Sequence, residues 1–216
     1  GSMRAAVSSS GEVGKLSYTL HGGWEQTDND APSGVRDLFH RQTSYALRLD
    51  YQASDVLTIG MSLRGGDAQY RDSFGGLNLT EYALGTIYAE LLVNPDWTSR
   101  LRVGVYEEDY DFGDPSTFGT EAEKWSLVWE NELHSGDDHL TSFGALFERT
   151  DYAQDFSFPG EGDQYGVYVN HAWEVVDGLT LTGGGRWEDY DSYGDEFTWR
   201  GAVAYQVPNS GTTIRA

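Results

Sequence analysis

The chain has 216 residues and a formal net charge of −21, from 14 basic and 35 acidic residues, and it contains no cysteine. This length is that of one large domain or at most two small ones. The acidity argues against a nucleic-acid partner, because phosphate binding requires clustered Lys and Arg. The lack of cysteine excludes disulfides, thiolate metal sites and thiol nucleophiles. No apolar run reaches the roughly 18 residues of a membrane helix. A membrane β-barrel is not excluded by this, because its strands are only half apolar.

The two ends of the chain differ from its middle. Gly1-Ser2-Met3 resembles the scar of a protease cleavage, and we predict that residues 1–13 are this scar and a linker. Residues 14–216 are predicted to form one β-barrel or barrel segment. An extended, β-prone pattern begins again at Thr212.

Alternation of apolar and polar residues recurs along the chain, whereas helical periodicity is hard to find. We therefore predict about ten antiparallel strands in an up-and-down meander, each long enough to cross a bilayer at a tilt. In chain order, the predicted strands run from 16 to 24, 45 to 51, 57 to 63, 81 to 93, 101 to 105, 125 to 133, 143 to 147, 165 to 173, 179 to 187, and 199 to 207.

The connections between these strands alternate strictly between short and long. Short turns with hairpin chemistry are predicted at 53–55, 94–96, 135–138, 177–178 and 208–211. Long loops are predicted at 26–40, 64–80, 107–123, 149–163 and 188–196, and these hold 21 of the 35 acids. Outer-membrane barrels typically have short periplasmic turns and long extracellular loops.

A soluble β-sandwich or lipocalin-like barrel shows the same alternation, with the apolar stripe forming an inner core. Uniform strand length and the asymmetry of the connections favour a membrane barrel. Aromatic residues near strand ends, such as Trp24, Trp125 and Trp187, agree with it, because Trp and Tyr prefer the bilayer interface.

The last third of the sequence resembles the barrel of TonB-dependent outer-membrane receptors, which import siderophores, cobalamin and related nutrients. The resemblance is carried by LTLTGGGRWEDYD at 179–191, FTWRGAVAY at 197–205 and VPNSGTTIRA at 207–216. Gly14 to Tyr18 is similar, less specifically, to an early strand of such a barrel.

This resemblance implies a central barrel segment of a receptor in the Gram-negative outer membrane. Such receptors hold a plug domain inside a barrel of about 22 strands and bind TonB through an N-terminal box. Neither plug nor box is evident here, so we expect the segment to be transport-incompetent alone. The full-length parent receptor would bind its small nutrient through the long loops, and only this full-length parent would bind TonB.

Clustered carboxylates in two acidic runs raise the question of Ca²⁺, a cation that takes six to eight oxygen ligands. Neither run fits the spacing of an EF-hand, and the plainer interpretation is a solvated, mutually repelling loop. Ca²⁺ is thus the one cofactor that the sequence leaves open. The candidate ligands are Asp109, Asp111, Asp114, Asp189, Asp191 and Asp195.

Charged residues on the polar side of the predicted strands are better placed for function. We expect them to line a wet lumen of mixed charge, because unpaired burial of a charge is costly. The lumen-facing residues are predicted to be Arg48, Arg100, Arg102, Glu130, Glu132, Arg186 and Arg200. Gly183 to Gly185 is not a phosphate loop, since no helix follows, and is interpreted as a bend or as tight packing.

No catalytic constellation is predicted. His134 and His139 lie beside a predicted short turn, and His171 falls on the apolar side of its strand. We therefore predict no enzyme. The expected partners are outer-membrane lipid or detergent and, through free strand edges, a second copy of the chain. A small porin-like channel and a soluble lipocalin-like binding barrel remain the alternatives.

Overall fold

The structure, a computed structural model, describes every residue except 30–37, 72–75, 114–115, 156, 158 and 209. The described residues form twelve strands and no helix. The strands are β1 Ser2–Val13, β2 Leu16–Asn29, β3 Leu38–Gln52, β4 Leu57–Arg71, β5 Leu77–Asn94, β6 Trp97–Gly113, β7 Ser116–His134, β8 His139–Gln154, β9 Gly160–Val176, β10 Leu179–Tyr190, β11 Gly194–Gln206 and β12 Thr213–Arg215. Within these described ranges, no helix is long and apolar enough to cross a membrane.

Strands that are adjacent in the chain are also adjacent in the sheet, which has the order β1 to β12. Their pairing is regular. β2 and β3, for example, run antiparallel from Leu16 opposite Tyr51 to Asn29 opposite Leu38 without a shift. The predicted all-β antiparallel meander is confirmed, and the ten predicted strands correspond to β2 through β11.

Residues 2–13 form a strand rather than the linker predicted from the sequence. β1 pairs with β2 from Ser2 opposite Thr27 to Val13 opposite Leu16. Gly14, with φ of 62°, supplies the left-handed conformation that the tight turn into β2 requires. Small residues dominate this stretch and give it little alternation, so its backbone pairing, and not its side-chain pattern, makes it a strand. At the other end, β12 adds three pairs to β11.

The strands extend far into the segments predicted as long loops, so those loop boundaries were wrong. β6 continues to Gly113 and β7 begins at Ser116, which places most of the acidic run at 107–114 within paired strands. β10 likewise ends at Tyr190 and β11 begins at Gly194. The physical reason is that antiparallel pairing satisfies the backbone N–H and C=O groups whatever the side chains are, provided that the charges can reach water.

The apolar stripe of the strands remains exposed. Among the described residues, no hydrophobic side chain is buried, and Val105, Trp129 and Val167 are 52%, 42% and 51% exposed. Burial of apolar surface normally drives folding in water, so a β-protein that uses its apolar stripe as a core would hide these residues. The described strands therefore hold no hydrophobic core of their own.

The chain divides into two compact units. The first comprises Gly1–Tyr88, Val103–Trp125 and Arg149–Glu161, and the second comprises Ala89–Arg102, Ser126–Glu148 and Gly162–Ala216. Each contains paired strands with one apolar and one polar face.

Indole N–H groups on the apolar face of the second unit are satisfied by neighbouring strands. Trp97 donates to Asn131 Oδ1 over 3.0 Å, and Trp129 donates to Ser99 Oγ over 3.0 Å. Asn131 is only 3% exposed. Trp129 also meets Phe143 edge to face, with the ring centroids 5.9 Å apart. These contacts hold the aromatic rings in defined positions on the exposed apolar face.

Gly60 of β4 makes room for the ring of Tyr88, whose hydroxyl donates to Asp50. A Cβ on Gly60 would lie 2.3 Å from Tyr88 Cε1, whereas a Cβ on Gly183 would meet nothing within 4 Å. We predict that Gly60→Ala lowers the free energy of unfolding by about 1–3 kcal/mol, since a packed aromatic ring must move. Gly183→Ala, the matched control, should not destabilise. Urea unfolding in detergent, followed by tryptophan fluorescence, measures both, and equal stability of the two variants would contradict the packing.

Two pairs of carboxylates stand directly opposite each other in the hairpin of β10 and β11: Glu188 with Glu196, and Asp189 with Asp195. Like charges at opposed positions destabilise a sheet. We predict that Asp195→Asn raises the free energy of unfolding by about 0.2–1 kcal/mol, because it removes one charge and keeps an oxygen for the indole of Trp187. Asp137→Asn, in an exposed turn, is the control and should change nothing. The same urea titration at low salt measures the free energy of unfolding of both variants. A loss of stability in Asp195→Asn would refute the repulsion.

Candidate functional site

The polar face of the strands carries charged side chains in organised contacts. All seven residues predicted to face the lumen occupy the parity opposite the exposed apolar stripe. Five of them are in ion pairs: Arg48 with Asp50, Arg100 with Glu90, Arg102 with Glu130, and Arg186 with Glu188. The sixth, Glu132, lies 3.2 Å from Nε2 of His134, which makes an ion pair only when that imidazole is protonated. The seventh, Arg200, donates from Nη2 to the amide oxygen of Asn170 over 3.0 Å.

The second unit contains a cavity of about 470 Å³ on this face. Glu130, Tyr168 and Arg186 line it from three different strands, and Arg200 closes one side. Two guanidinium groups, one carboxylate and one phenol thus converge on a space large enough for a small polar group. Arg200 is the guanidinium there that the structure pairs with an amide rather than with a carboxylate.

Glycine in the middle of β10 creates part of this cavity. A Cβ on Gly184 would lie 2.2 Å from Asn170 Oδ1, the atom that accepts from Arg200. β10 remains paired with β11 through the three glycines without a shift. Of the two interpretations that the sequence left open, the structure thus supports tight packing over a bend.

A network of hydrogen bonds surrounds Glu188, just beyond Trp187, the last exposed apolar residue of β10. Gln164 donates to Glu188 Oε1 over 2.6 Å, Tyr190 donates to it over 2.9 Å, and Arg186 donates to it as well. The Arg186 hydrogen bond lowers the pKa of Glu188, because it favours the charged carboxylate. Its hydrogen bond to that carboxylate raises the pKa of Tyr190. Glu188 is therefore held ionised.

The sequence did not reveal the neutral partners Gln164, Tyr168 and Asn170, although all lie on the polar parity of β9. The reason is a β-bulge where β9 meets β10, between Leu179 and Thr180. Counting pairs from the tight turn without that bulge would place Arg186 opposite the apolar Val169. The bulge shifts the register by one residue, so that Arg186 stands opposite Tyr168 and polar faces polar.

In the first unit, two sets of hydrogen bonds on the polar face connect three strands. Arg48 Nε donates to Asp50 over 2.7 Å, and the hydroxyl of Tyr88 donates to the other oxygen of Asp50. Further along, Tyr110 donates to Asn78 Oδ1 over 2.8 Å, and Asn78 is only 1% exposed. These side chains link β3, β5 and β6 on the side away from the apolar stripe.

The candidate calcium ligands are spread over several strands. Asp109 and Asp111 lie on β6, Asp189 on β10 and Asp195 on β11, Asp191 follows β10, and Asp114 lies outside the described residues. Within the part of the chain that is described, no group of three or more acidic or histidine side chains is placed to hold a metal ion. Asp189 stands directly opposite Asp195 in the sheet.

Acidic residues from outside the run at 107–114 line one cavity with Asp109 in the first unit. A cavity of about 520 Å³ is lined by Asp109, Asp111, Glu121 and Asp155, among others. Asp155 accepts from the backbone N–H of Gly119 over 2.9 Å. The pairing of β7 with its neighbours brings these carboxylates together, and only the register of long strands could have shown this.

The sequence matches the family described as TonB dependent receptor-like, beta-barrel, over residues 6–216. No curated protein matches it. The structure resembles the siderophore receptor PirA from Pseudomonas aeruginosa, with 16% identity over 96% of this chain and 37% of that chain and a TM-score of 0.82.

Two further structures are similar at lower identity. A mutant of the ferric enterobactin receptor PfeA from Pseudomonas aeruginosa in complex with enterobactin has 12% identity over 96% of this chain and 40% of that chain, with a TM-score of 0.84. The RagAB peptide transporter has 11% identity over 97% of this chain and 34% of that chain, with a TM-score of 0.69. The chain thus spans two fifths or less of these structures, and by its match over residues 6–216 it belongs to the β-barrel family of TonB-dependent receptors.

Proposed function

We propose that the chain forms part of the barrel wall of a receptor in the Gram-negative outer membrane that imports a scarce nutrient with energy from TonB. The observation that carries the proposal is the exposed apolar stripe, with no buried hydrophobic side chain among the described residues. Such a surface is stable when lipid covers it, because in a transmembrane barrel the apolar positions face outward.

A soluble lipocalin-like barrel requires the opposite arrangement. Its apolar stripe would point inward and be buried, yet Leu101, Val103 and Val105 of β6 are 46%, 46% and 52% exposed. The paired charges on the other face would then meet bulk water, where ion pairs contribute little. The structure therefore gives the soluble alternative no support.

The polar face suits the lumen of a receptor barrel. Arg102 with Glu130 and Arg186 with Glu188 neutralise each other within the wall, which leaves the cavity beside Arg200 open to a partner. A porin-like channel would also have a polar lumen, and membership in the receptor family favours the receptor. In a complete receptor this face would contact whatever fills the barrel.

The cargo differs among the similar structures. The similar structures include receptors named for a siderophore and for ferric enterobactin and a peptide transporter, so this barrel architecture serves different cargoes. A siderophore or cobalamin is the proposed class for this chain. Carboxylates such as Glu107, Asp109 and Glu121 make the end opposite the short turns acidic, which favours cationic ligands, Ca²⁺ among them, and repels free anions.

By itself the chain is proposed to be transport-incompetent. It covers 37% of the PirA chain. β1 exposes nearly its whole length, so an edge-to-edge dimer of two chains is the proposed association of the isolated segment.

Insertion into lipid separates the membrane proposal from the soluble alternative. Leu127 lies on the apolar stripe and Ser126 on the polar face of the same strand, so the two give a matched pair. We predict that Leu127→Arg destabilises the lipid-inserted chain by about 2–4 kcal/mol, because a cation would face hydrocarbon, whereas Ser126→Arg has a much smaller effect. Urea titration in lipid vesicles measures the difference. If the unsubstituted chain formed a stable, monodisperse monomer in plain buffer, that result would overturn the membrane placement.

Uptake experiments test the receptor assignment. In a strain that lacks its own siderophore and cobalamin receptors, we predict that the chain alone reaches the outer membrane but gives no uptake of radiolabelled ferric siderophore or cobalamin. The physical reason is that energised import requires a TonB-binding segment. A complete receptor of the same family is the positive control. Unselective uptake of small hydrophilic solutes would instead indicate the porin-like channel.

A further inference from the structure

Two imidazoles of the second unit lie in contact on the apolar side of the strands. His139 begins β8 and His171 lies on β9. The Nδ1 atom of His139 is 3.3 Å from the Nε2 atom of His171, and the ring centroids are 5.3 Å apart. The receptor function proposed above gives these two adjacent titratable rings no role.

Backbone pairing fixes the positions of both rings. Glu174 N–H donates to the carbonyl of Asp138 over 2.8 Å, so that Trp173 stands opposite His139 and His171 opposite Thr141. Trp173 stacks on His139 with a centroid separation of 5.5 Å and an angle of 18° between the planes. The histidine pair is therefore held from one side by an indole.

Thr141 orients the second ring. Its Oγ1 is 2.9 Å from Nδ1 of His171. When that Nδ1–H donates to the hydroxyl oxygen, Nε2 of His171 keeps its lone pair and presents it toward His139. Ligand histidines in metal sites are commonly held in this way, with the distal nitrogen hydrogen-bonded to a neighbouring group that sets the tautomer.

The spacing of the two nitrogens matches shared coordination of a metal ion. Zinc–imidazole bonds are about 2.0–2.1 Å long, and a tetrahedral angle between two of them separates the nitrogens by about 3.3–3.4 Å. The observed separation of 3.3 Å lies at this value. Imidazole is a good ligand for Zn²⁺, Cu²⁺ and Ni²⁺, and affinity is generally highest for Cu²⁺ among them.

We propose that His139 and His171 form a two-imidazole site for a borderline divalent cation, Zn²⁺, Cu²⁺ or Ni²⁺, with water in the remaining positions. The described part of the chain places no third acidic or histidine ligand with them. The site lies beside the turn at 135–138, where water can reach it, and a bound ion would tie β8 to β9. It differs in ligand type and location from the carboxylates considered for Ca²⁺.

Trp173 supplies a local readout, because Cu²⁺ and Ni²⁺ quench the fluorescence of an indole that lies within a few ångströms. The full chain in detergent is titrated with CuCl₂ or NiCl₂ in a buffer that does not bind metals. We expect saturable quenching that is lost in His171→Gln and in His139→Gln. His134→Gln is the matched control and should retain it, since His134 pairs with Glu132 on the polar face. Trp173→Phe should remove the quenched component while leaving binding intact.

A spectroscopic measurement on the unsubstituted chain keeps the test independent of any folding defect in the variants. Electron paramagnetic resonance of one equivalent of Cu²⁺ should show hyperfine coupling to two nitrogens. Zn²⁺ added in excess should displace the bound Cu²⁺, so that the two-nitrogen spectrum is replaced by that of Cu²⁺ in solution. Quenching that survives in both histidine variants, or a copper spectrum with oxygen ligands alone, would overturn the proposal. The two rings would then be an ordinary hydrogen-bonded aromatic pair.

Discussion

Edge-to-edge backbone pairing of consecutive strands is the constraint on which the rest of this structure depends. Each strand from β2 to β11 bonds to the strand before and after it in the chain, so all side chains must leave on one of two faces. One face collects the apolar residues and stays exposed, and the other collects the charges. Because neither face forms a hydrophobic core within the described residues, stability must come from the backbone ladder, from contacts within each face and from the surroundings.

Contacts on the polar face are built around close approaches that only glycine permits. Gly60 admits the ring of Tyr88 beside Asp50, and Gly184 admits Asn170 beside Arg200. In both places a missing side chain on one strand allows a longer one from a neighbour to lie flat across it. These close approaches hold the side chains around the ion pairs in place. The cavity beside Arg200 results from the same packing across Gly184.

The acidic end of the strands shows how much charge a paired ladder tolerates. Glu188 and Glu196 are opposed in the register, yet Glu188 is bonded by Gln164, Tyr190 and Arg186, which offset part of the repulsion. Relatives with 11–16% identity share the architecture and carry names of different cargoes. The strand framework is therefore shared by structures whose names refer to different cargoes.

The sequence by itself determined the class of fold, ten of the strands and the division into an apolar and a polar face, because an alternation of period two is a local property. It did not determine β1, whose small residues show little pattern, or the ends of strands such as β6, which continue through acidic residues. Only the tertiary structure decided which residues meet. The bulge between Leu179 and Thr180 sets the partners of Arg186, and the pairing of β8 with β9 brings His139 to His171. Partners across a sheet depend on register, and one inserted residue changes every pair beyond it.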